Sequence, residues 1–246
     1  MKAVLLAAGS STRLYPLTKD SPKCLLEVGG QTLLEHQLDA LALCDVSEVV
    51  IVTGYLSHLI EEKIEAVKSR YKFAFSFVSN PRFALTNNIY SLAVARDLLL
   101  GHAFLCLHAD VLFHPQILQT GARSEDDVCL IADREVLEET MKLKAVDDQV
   151  LAIGKHVTVE EASGTFLGIA KFSAHGSRCM FTEVERLIAE GETNLYFTAG
   201  VERLIAADFP VRVEFISGLP WIEIDFAEEL EHARTRVYDF IQAAQG

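Results

Sequence analysis

The chain has 246 residues, half of them hydrophobic, enough for a single α/β domain with a sizeable buried core. Its formal charge of −13 repels the backbones of DNA and RNA, so no nucleic-acid partner is expected, though a few local cations or a metal would still hold a small phosphorylated ligand. No stretch reaches the roughly 18–20 apolar residues that span a membrane, so no membrane insertion is expected.

KAVLLAA (2–8) is a short apolar run of the kind found in buried parallel strands. It follows Met1 directly, but its apolar core is only about seven residues, at the floor of the export-signal range, and an arginine and a Pro-Lys pair follow it. Leu34, Leu38 and Leu41 fall at helical spacing within 32–43. EVVIVTG (48–54) predicts a second strand, 57–69 a charged helix, and FAFSFV (73–78) a third strand. A polar loop, NPRFALTNN (80–88), leads into a helix over 89–99, where the paired asparagines also invite capping. AFLCLH (103–108) is a fourth strand ending at Ala109-Asp110, Pro115 suits a helix first turn, and DVCLIAD (127–133) is a fifth strand.

Beyond residue 134 the texture changes. MKLKAV (141–146) and VLAIGK (150–155) flank Asp147-Asp148-Gln149 as a β-hairpin, and TFLGIAKF (165–172) is a further strand. Helices are expected near 177–190 and 195–207, a strand at 211–216, WIEI (221–224), and a last helix from 226 to about 244. Alternating strands and helices imply βαβ units: a Rossmann-like, mostly parallel mixed sheet with helices on both faces, plus a small hairpin insertion. No linker or repeat divides the chain, so 1–246 is expected to be one domain, with 134–200 as an insertion that forms part of a site. Cys24, Cys44, Cys106, Cys129 and Cys179 form no C-x-x-C pair and sit mostly in apolar runs, which predicts free buried thiols and a cytoplasmic protein.

In an open parallel sheet, ligands bind beyond the carboxyl ends of the strands, where Gly9 to Arg13 leave strand one. A dinucleotide fingerprint begun at Gly9 would need glycines at positions 11 and 14, and a P-loop would need glycine and lysine at 14 and 15. The chain has Ser11, Leu14 and Tyr15, so both fail. What stands instead is Ala7-Ala8-Gly9-Ser10-Ser11-Thr12-Arg13-Leu14, with Pro22-Lys23 following. This resembles the nucleotidyltransferases that activate sugar phosphates and phosphorylated alcohols, with Ser11 where most members carry glycine. The stretch N-N-I-Y-S-L (87–92) is similar to the branch that makes CDP-linked products from phosphocholine, 2-aminoethylphosphonate or inositol 1-phosphate.

The resemblance implies transfer of a nucleoside monophosphate, CMP favoured, from an NTP to the phosphate or phosphonate of a small alcohol or amine, with pyrophosphate released. The alternative is a sugar 1-phosphate nucleotidyltransferase using UTP, dTTP or GTP. Loop amides from Ala7 through Thr12 would hold the nucleotide, Arg13 would neutralise the leaving pyrophosphate, and Lys23 would offset repulsion between two approaching anions. Asp110 and Asp225 would hold Mg²⁺ through hard carboxylate oxygens. Asp225 has a structural alternative, since it precedes a helix and has Glu228 three residues on, as in a capping box. Asn88 and Ser91, with Asn80 a lesser choice, would read the base edge.

Acceptor candidates are Lys142, Trp221, Glu223 and Tyr196, with Phe197, Asp133, Glu139 and Lys144 also in view. His108 reads as a satisfied buried histidine close to Asp110. The acceptor itself and the oligomeric state stay open, a homo-oligomer included.

Overall fold

A computed structural model describes residues 1–216 and 218–244. Its elements in chain order begin with β1 (Lys2–Ala7), β2 (Glu27–Val28), β3 (Gln31–Thr32), α1 (Leu33–Ala42), β4 (Glu48–Thr53), α2 (Ser57–Val67) and β5 (Ala74–Ser79). Then come α3 (Asn88–Val94), α4 (Arg96–Leu99), β6 (Phe104–His108), β7 (Val111–Phe113), α5 (Pro115–Arg123) and β8 (Val128–Asp133). The remainder is β9 (Lys142–Val146), β10 (Gln149–Gly154), β11 (Gly164–Phe172), α6 (Ala174–Ala189), α7 (Thr198–Ala206), β12 (Arg212–Phe215), β13 (Trp221–Glu223), α8 (Ala227–His232) and α9 (Tyr238–Ala244).

Nine strands form one sheet in the order β5-β4-β1-β6-β11-β8-β12-β10-β9. β5, β4, β1 and β6 are mutually parallel, as is β12 to β8, while β11 runs antiparallel to β6 and β8. The alternation of side chains along a strand explains the layers. Val4, Leu6, Val50 and Val52 pack on one face with Ile89 and Leu92 of α3, Phe181 and Val184 of α6, and Val201 and Leu204 of α7. Ala3, Leu5, Val49 and Ile51 pack on the other with Leu34, Leu38 and Leu41 of α1, Ile60 and Ile64 of α2, and Ile117 and Leu118 of α5. The expected hairpin is β9–β10, built into the far edge of this sheet.

Two expected helices are interrupted. The one over 89–99 breaks at Ala95 into α3 and α4, and a π-helical segment, Ala233–Val237, separates α8 from α9. A third cluster explains why the C-terminal helices matter: Leu230, Val237 and Ile241 pack on Leu14, Leu26 and Val28, so they brace the loop that follows β1. The five cysteines are free, and burial pushes the Cys24 thiol up to about 12 and that of Cys129 to about 11. Among the described residues no helix is long and apolar enough to cross a membrane.

α1 opens with a reciprocal cap: Thr32 Oγ1 accepts from the Glu35 N–H at 3.2 Å, and the Glu35 carboxylate accepts from the Thr32 N–H at 3.0 Å. Glu35 also pairs with Lys63 at 2.7 Å and Arg70 at 3.0 Å. Burial opposes ionisation, but Lys63 and the Thr32 donors outweigh it and hold the Glu35 pKa down to about 2. A depressed carboxyl pKa contributes stability that is complete above the ordinary value and lost as pH falls through the folded one. Glu35→Gln is therefore expected to lower stability at pH 7 by about 2 kcal/mol and to flatten the stability profile between roughly pH 4.5 and 2. Denaturant unfolding across that window checks it.

Candidate active site

The chain leaves β1, builds β4 and β5 on one side, and returns to β6 on the other, so the order reverses between β1 and β6. Loops leaving two neighbouring parallel strands in opposite directions open a crevice there. A cleft of about 340 Å³ occupies it, lined by Gly9 to Arg13, Lys23, Asp110 and Asp225, and by the loop after β5.

Asp110 lies in the turn between β6 and β7, at the carboxyl end of the sheet. Asp225 reaches it through a two-stranded ribbon: β13 pairs antiparallel with β7, Glu223 opposite Val111, and the Ile224 N–H donates to the Asp110 carbonyl at 3.0 Å. Lys23 opens a single 3₁₀ turn after Pro22, and its Nζ bridges Asp110 Oδ2 at 2.8 Å and Asp225 Oδ1 at 2.7 Å. Arg13 Nη2 meets Asp225 Oδ2 at 2.7 Å, with its guanidinium over the Phe226 ring. Residues far apart in sequence thus share one cluster.

Electrostatics follow from that crowding. Burial disfavours the Lys23 ammonium, but the two aspartates outweigh it and raise its pKa. Burial likewise opposes the Asp110 charge, yet Lys23 holds it below the usual carboxylate range. Glu223 has no such cation of its own; burial, then Asp110 and Asp225, push it up to about 8. Asp110 Oδ1 is buried without a hydrogen-bond partner, and ligand atoms of His108, Asp110 and Glu223 lie within 4.8 Å of one another.

The cap reading of Asp225 does not hold. The Glu229 carboxylate, one residue beyond Glu228, accepts from the Phe226 N–H at 2.9 Å and from the Asp225 N–H, so the Asp225 side chain faces the cleft cations instead. Ser11 has φ +48°, a left-handed conformation that costs a residue with a Cβ about 1 kcal/mol. Its carbonyl accepts from the Thr18 hydroxyl at 2.8 Å and the Leu14 N–H at 3.1 Å, which supports the turn.

Asn80, Asn88 and Ser91 line the cleft, but their polar groups are largely engaged. Asn80 Nδ2 donates to Ser91 Oγ at 3.1 Å, and Asn80 Oδ1 accepts from the Arg82 N–H at 2.9 Å. Asn88 Oδ1 accepts from the Phe197 N–H at 2.6 Å, which leaves its amide to donate to His108 Nε2 at 3.0 Å. That contact makes His108 a neutral Nδ1–H imidazole, in line with its burial-lowered pKa. Gly168, with φ +74°, backs the same ring; a Cβ there would lie 2.7 Å from His108 Nδ1.

Other candidates are corrected. Ala7 lines a small void behind the loop with Cys24 and Ala109, while Ala8 and Ser10 line the cleft itself. Lys142 is buried and outside the cleft: its ammonium donates to the Glu138 and Thr140 carbonyls at 2.7 and 3.3 Å, pinning the turn before β9. Lys144 pairs with Glu161 instead, and Phe197 is fully buried core. Tyr196 does line the cleft. Trp221 lines a second cavity of about 410 Å³, with its Nε1 donating to Asp133 Oδ2 at 2.7 Å. Arg13, Glu223 and Asp225 form a wall common to both cavities. Lys155, Glu135 and Phe226 also face the second cavity, and sequence patterning gave no signal for them.

A phosphate-sized loop over β1, two facing carboxylates and two cations at the switch point define a phosphoryl-group-handling α/β enzyme. The family model for nucleotidyl transferases matches residues 2–134, and the chain belongs to that family. It is 25% identical over 254 residues to a CTP:phosphoglutamine cytidylyltransferase of Campylobacter jejuni, covering 94% of this chain and 98% of that protein. It is 28% identical over 231 residues to a choline-phosphate cytidylyltransferase of Streptococcus pneumoniae, covering 93% and 95%. The structure of an inositol-1-phosphate CTP transferase from T. maritima shares the fold, with a TM-score of 0.83 at 20% identity over 98% of this chain and 94% of that one.

Proposed function

We propose that this enzyme transfers CMP from CTP to the phosphate or phosphonate of a small alcohol or amine. The observation that carries the reading is the common wall: one cavity ends at the phosphate loop, the other at Trp221, and Arg13 and Asp225 belong to both. CTP is favoured by the cytidylyl specificity named for the relatives that align along nearly the whole chain.

In the reaction, an oxygen of the acceptor's phosphate attacks the α-phosphorus of CTP in line. The new P–O bond forms as the bond to the β-phosphate breaks, and its electron pair leaves on pyrophosphate. The nucleophile is ionised near neutral pH, so the protein need not remove a proton. The loop amides from Ala8 to Thr12 cradle the triphosphate. Lys23 turns from the aspartates toward the two anions that must approach, and Arg13 neutralises charge on the leaving group. Ser91, buried in the cleft wall, supplies a hydroxyl that can rotate toward the base.

The donor set suits Mg²⁺, since Asp110 keeps one buried oxygen unpartnered beside Asp225 and Glu223. When bound, Mg²⁺ would draw charge from the phosphate oxygens. The free thiols suit a reducing cytoplasm as the place of action.

The test is a pyrophosphate-release screen with Mg²⁺, four nucleoside triphosphates, and panels of phosphorylated alcohols, amines and sugars. Turnover is expected with CTP and a non-sugar acceptor. Turnover confined to a sugar 1-phosphate with UTP, dTTP or GTP, or silence from folded protein, overturns the proposal.

A further inference from the structure

We infer that the second cavity selects an acceptor that carries, besides its phosphate, both an ammonium group and a further anion, as at the end of an amino acid. The inference rests on the cytidylyl-transfer reading and names the substrate class for it. Three observations point to it.

The cavity has an apolar body. Trp221 is fixed by its bond to Asp133, and Phe226 is 45% exposed, too open to serve the core. Two flat apolar surfaces suit a short carbon stem.

The rim carries charges of both signs. Glu135 and Glu139 come from the segment after β8, and Lys155 comes from the turn that ends the β9–β10 hairpin. None of the three is ion-paired within 4.0 Å among the described residues, whereas nearby Lys144 and His156 are paired. Opposite charges that face one cavity without neutralising each other are complementary to a ligand that brings a separated cation and anion. A lone ammonium would leave Lys155 unanswered, and a neutral polyol would leave all three so.

Lys155 is also placed to act jointly with the nucleotide. Its Nζ lies 5.7 Å over the ring of Tyr196, which lines the first cleft. The shared wall of Arg13 puts the acceptor's phosphate at the junction and its far end toward Lys155.

Trp221, the chain's single tryptophan, provides a readout that needs no turnover. Its fluorescence would be followed without nucleotide while O-phospho-L-serine, phosphoethanolamine, 3-phosphoglycerate or glycerol 3-phosphate is added. Pyrophosphate release with CTP would be measured in parallel. The amino-acid-like probe is expected to bind tightest. Lys155→Gln is expected to lower its advantage over phosphoethanolamine about ten- to a hundredfold, the scale of one charge-assisted hydrogen bond. Glu139→Gln, alone or with Glu135→Gln, is expected to lower the advantage of both amines over glycerol 3-phosphate.

Equal binding of phosphoserine and phosphoethanolamine by the wild type overturns this inference, as does a Lys155→Gln effect equal on all four probes. Either result can stand alongside pyrophosphate release, which keeps the cytidylyl-transfer reading. Selective binding with no release from any probe or nucleotide would overturn that reading instead.

Discussion

Lys23→Met is expected to reduce turnover by about a thousandfold or more and to destabilise the fold by about 3 kcal/mol. Both effects come from one position. Lys23 Nζ lies 2.8 Å from Asp110 and 2.7 Å from Asp225, and its side chain is only 11% exposed. Without it, two aspartates and Glu223 face one another with Arg13 as the nearby cation, and among the described residues Arg13 ion-pairs with Asp225 alone. Removing one partner of an enclosed ion pair leaves the other charge uncompensated, hence the loss of stability. Methionine keeps the stem's volume, so packing contributes little. Steady-state kinetics with circular dichroism and thermal melting check the two effects separately. In the variant, added Mg²⁺ is expected to raise the melting temperature more than in wild type, because the freed carboxylates then seek a cation.

Asp110→Asn and Asp225→Asn are each expected to cost turnover about 10²- to 10³-fold, with a smaller effect on stability than Lys23→Met. Each amide keeps an oxygen that accepts from Lys23, and each removes one of the charges that, after burial, push Glu223 up to about 8. The melting temperature should therefore hold for Asp225→Asn, whereas Asp110→Asn gives up the stability that Lys23 lends the ionised carboxylate and should lower it modestly. For Asp225 this also tests its separation from the cap of α8, since Glu229 accepts from the Phe226 N–H and would be untouched. The double variant is expected to lose little more activity than the worse single one, as for groups that act as a unit. A marked fall in melting temperature for Asp225→Asn would assign that carboxylate a structural role.

The parts of this site that sequence made legible are those fixed by local chain geometry. A loop leaving β1, a Pro-Lys pair and an aspartate at a strand end each sit where a parallel sheet opens, so position in the pattern implied position in space. Asp225 was ambiguous for a concrete reason: an acid before a helix reads the same whether it caps or faces a cleft. The ribbon between β7 and β13 resolves it, and three-residue strands leave too short a pattern to reveal their pairing. Lys142 shows the converse failure. A lysine on a strand near the expected pocket suggested an acceptor contact, but the side chain instead serves a turn whose carbonyls need a donor. Lys155 and Glu135 were invisible because an exposed loop charge carries no period. Asn88 lines the cleft, but its amide is engaged in holding His108 and Phe197 in place.

The two cavities draw on different stretches of chain. The first is lined by residues before 111 together with Tyr196, Glu223 and Asp225, and the second, apart from Arg13, by 135–155 and 221–229. Inheritance can therefore act on the two halves separately. Descendants of one ancestor can keep the same activated donor while drifting among recipients, through changes in a hairpin end and a connecting segment that leave the donor's cradle undisturbed.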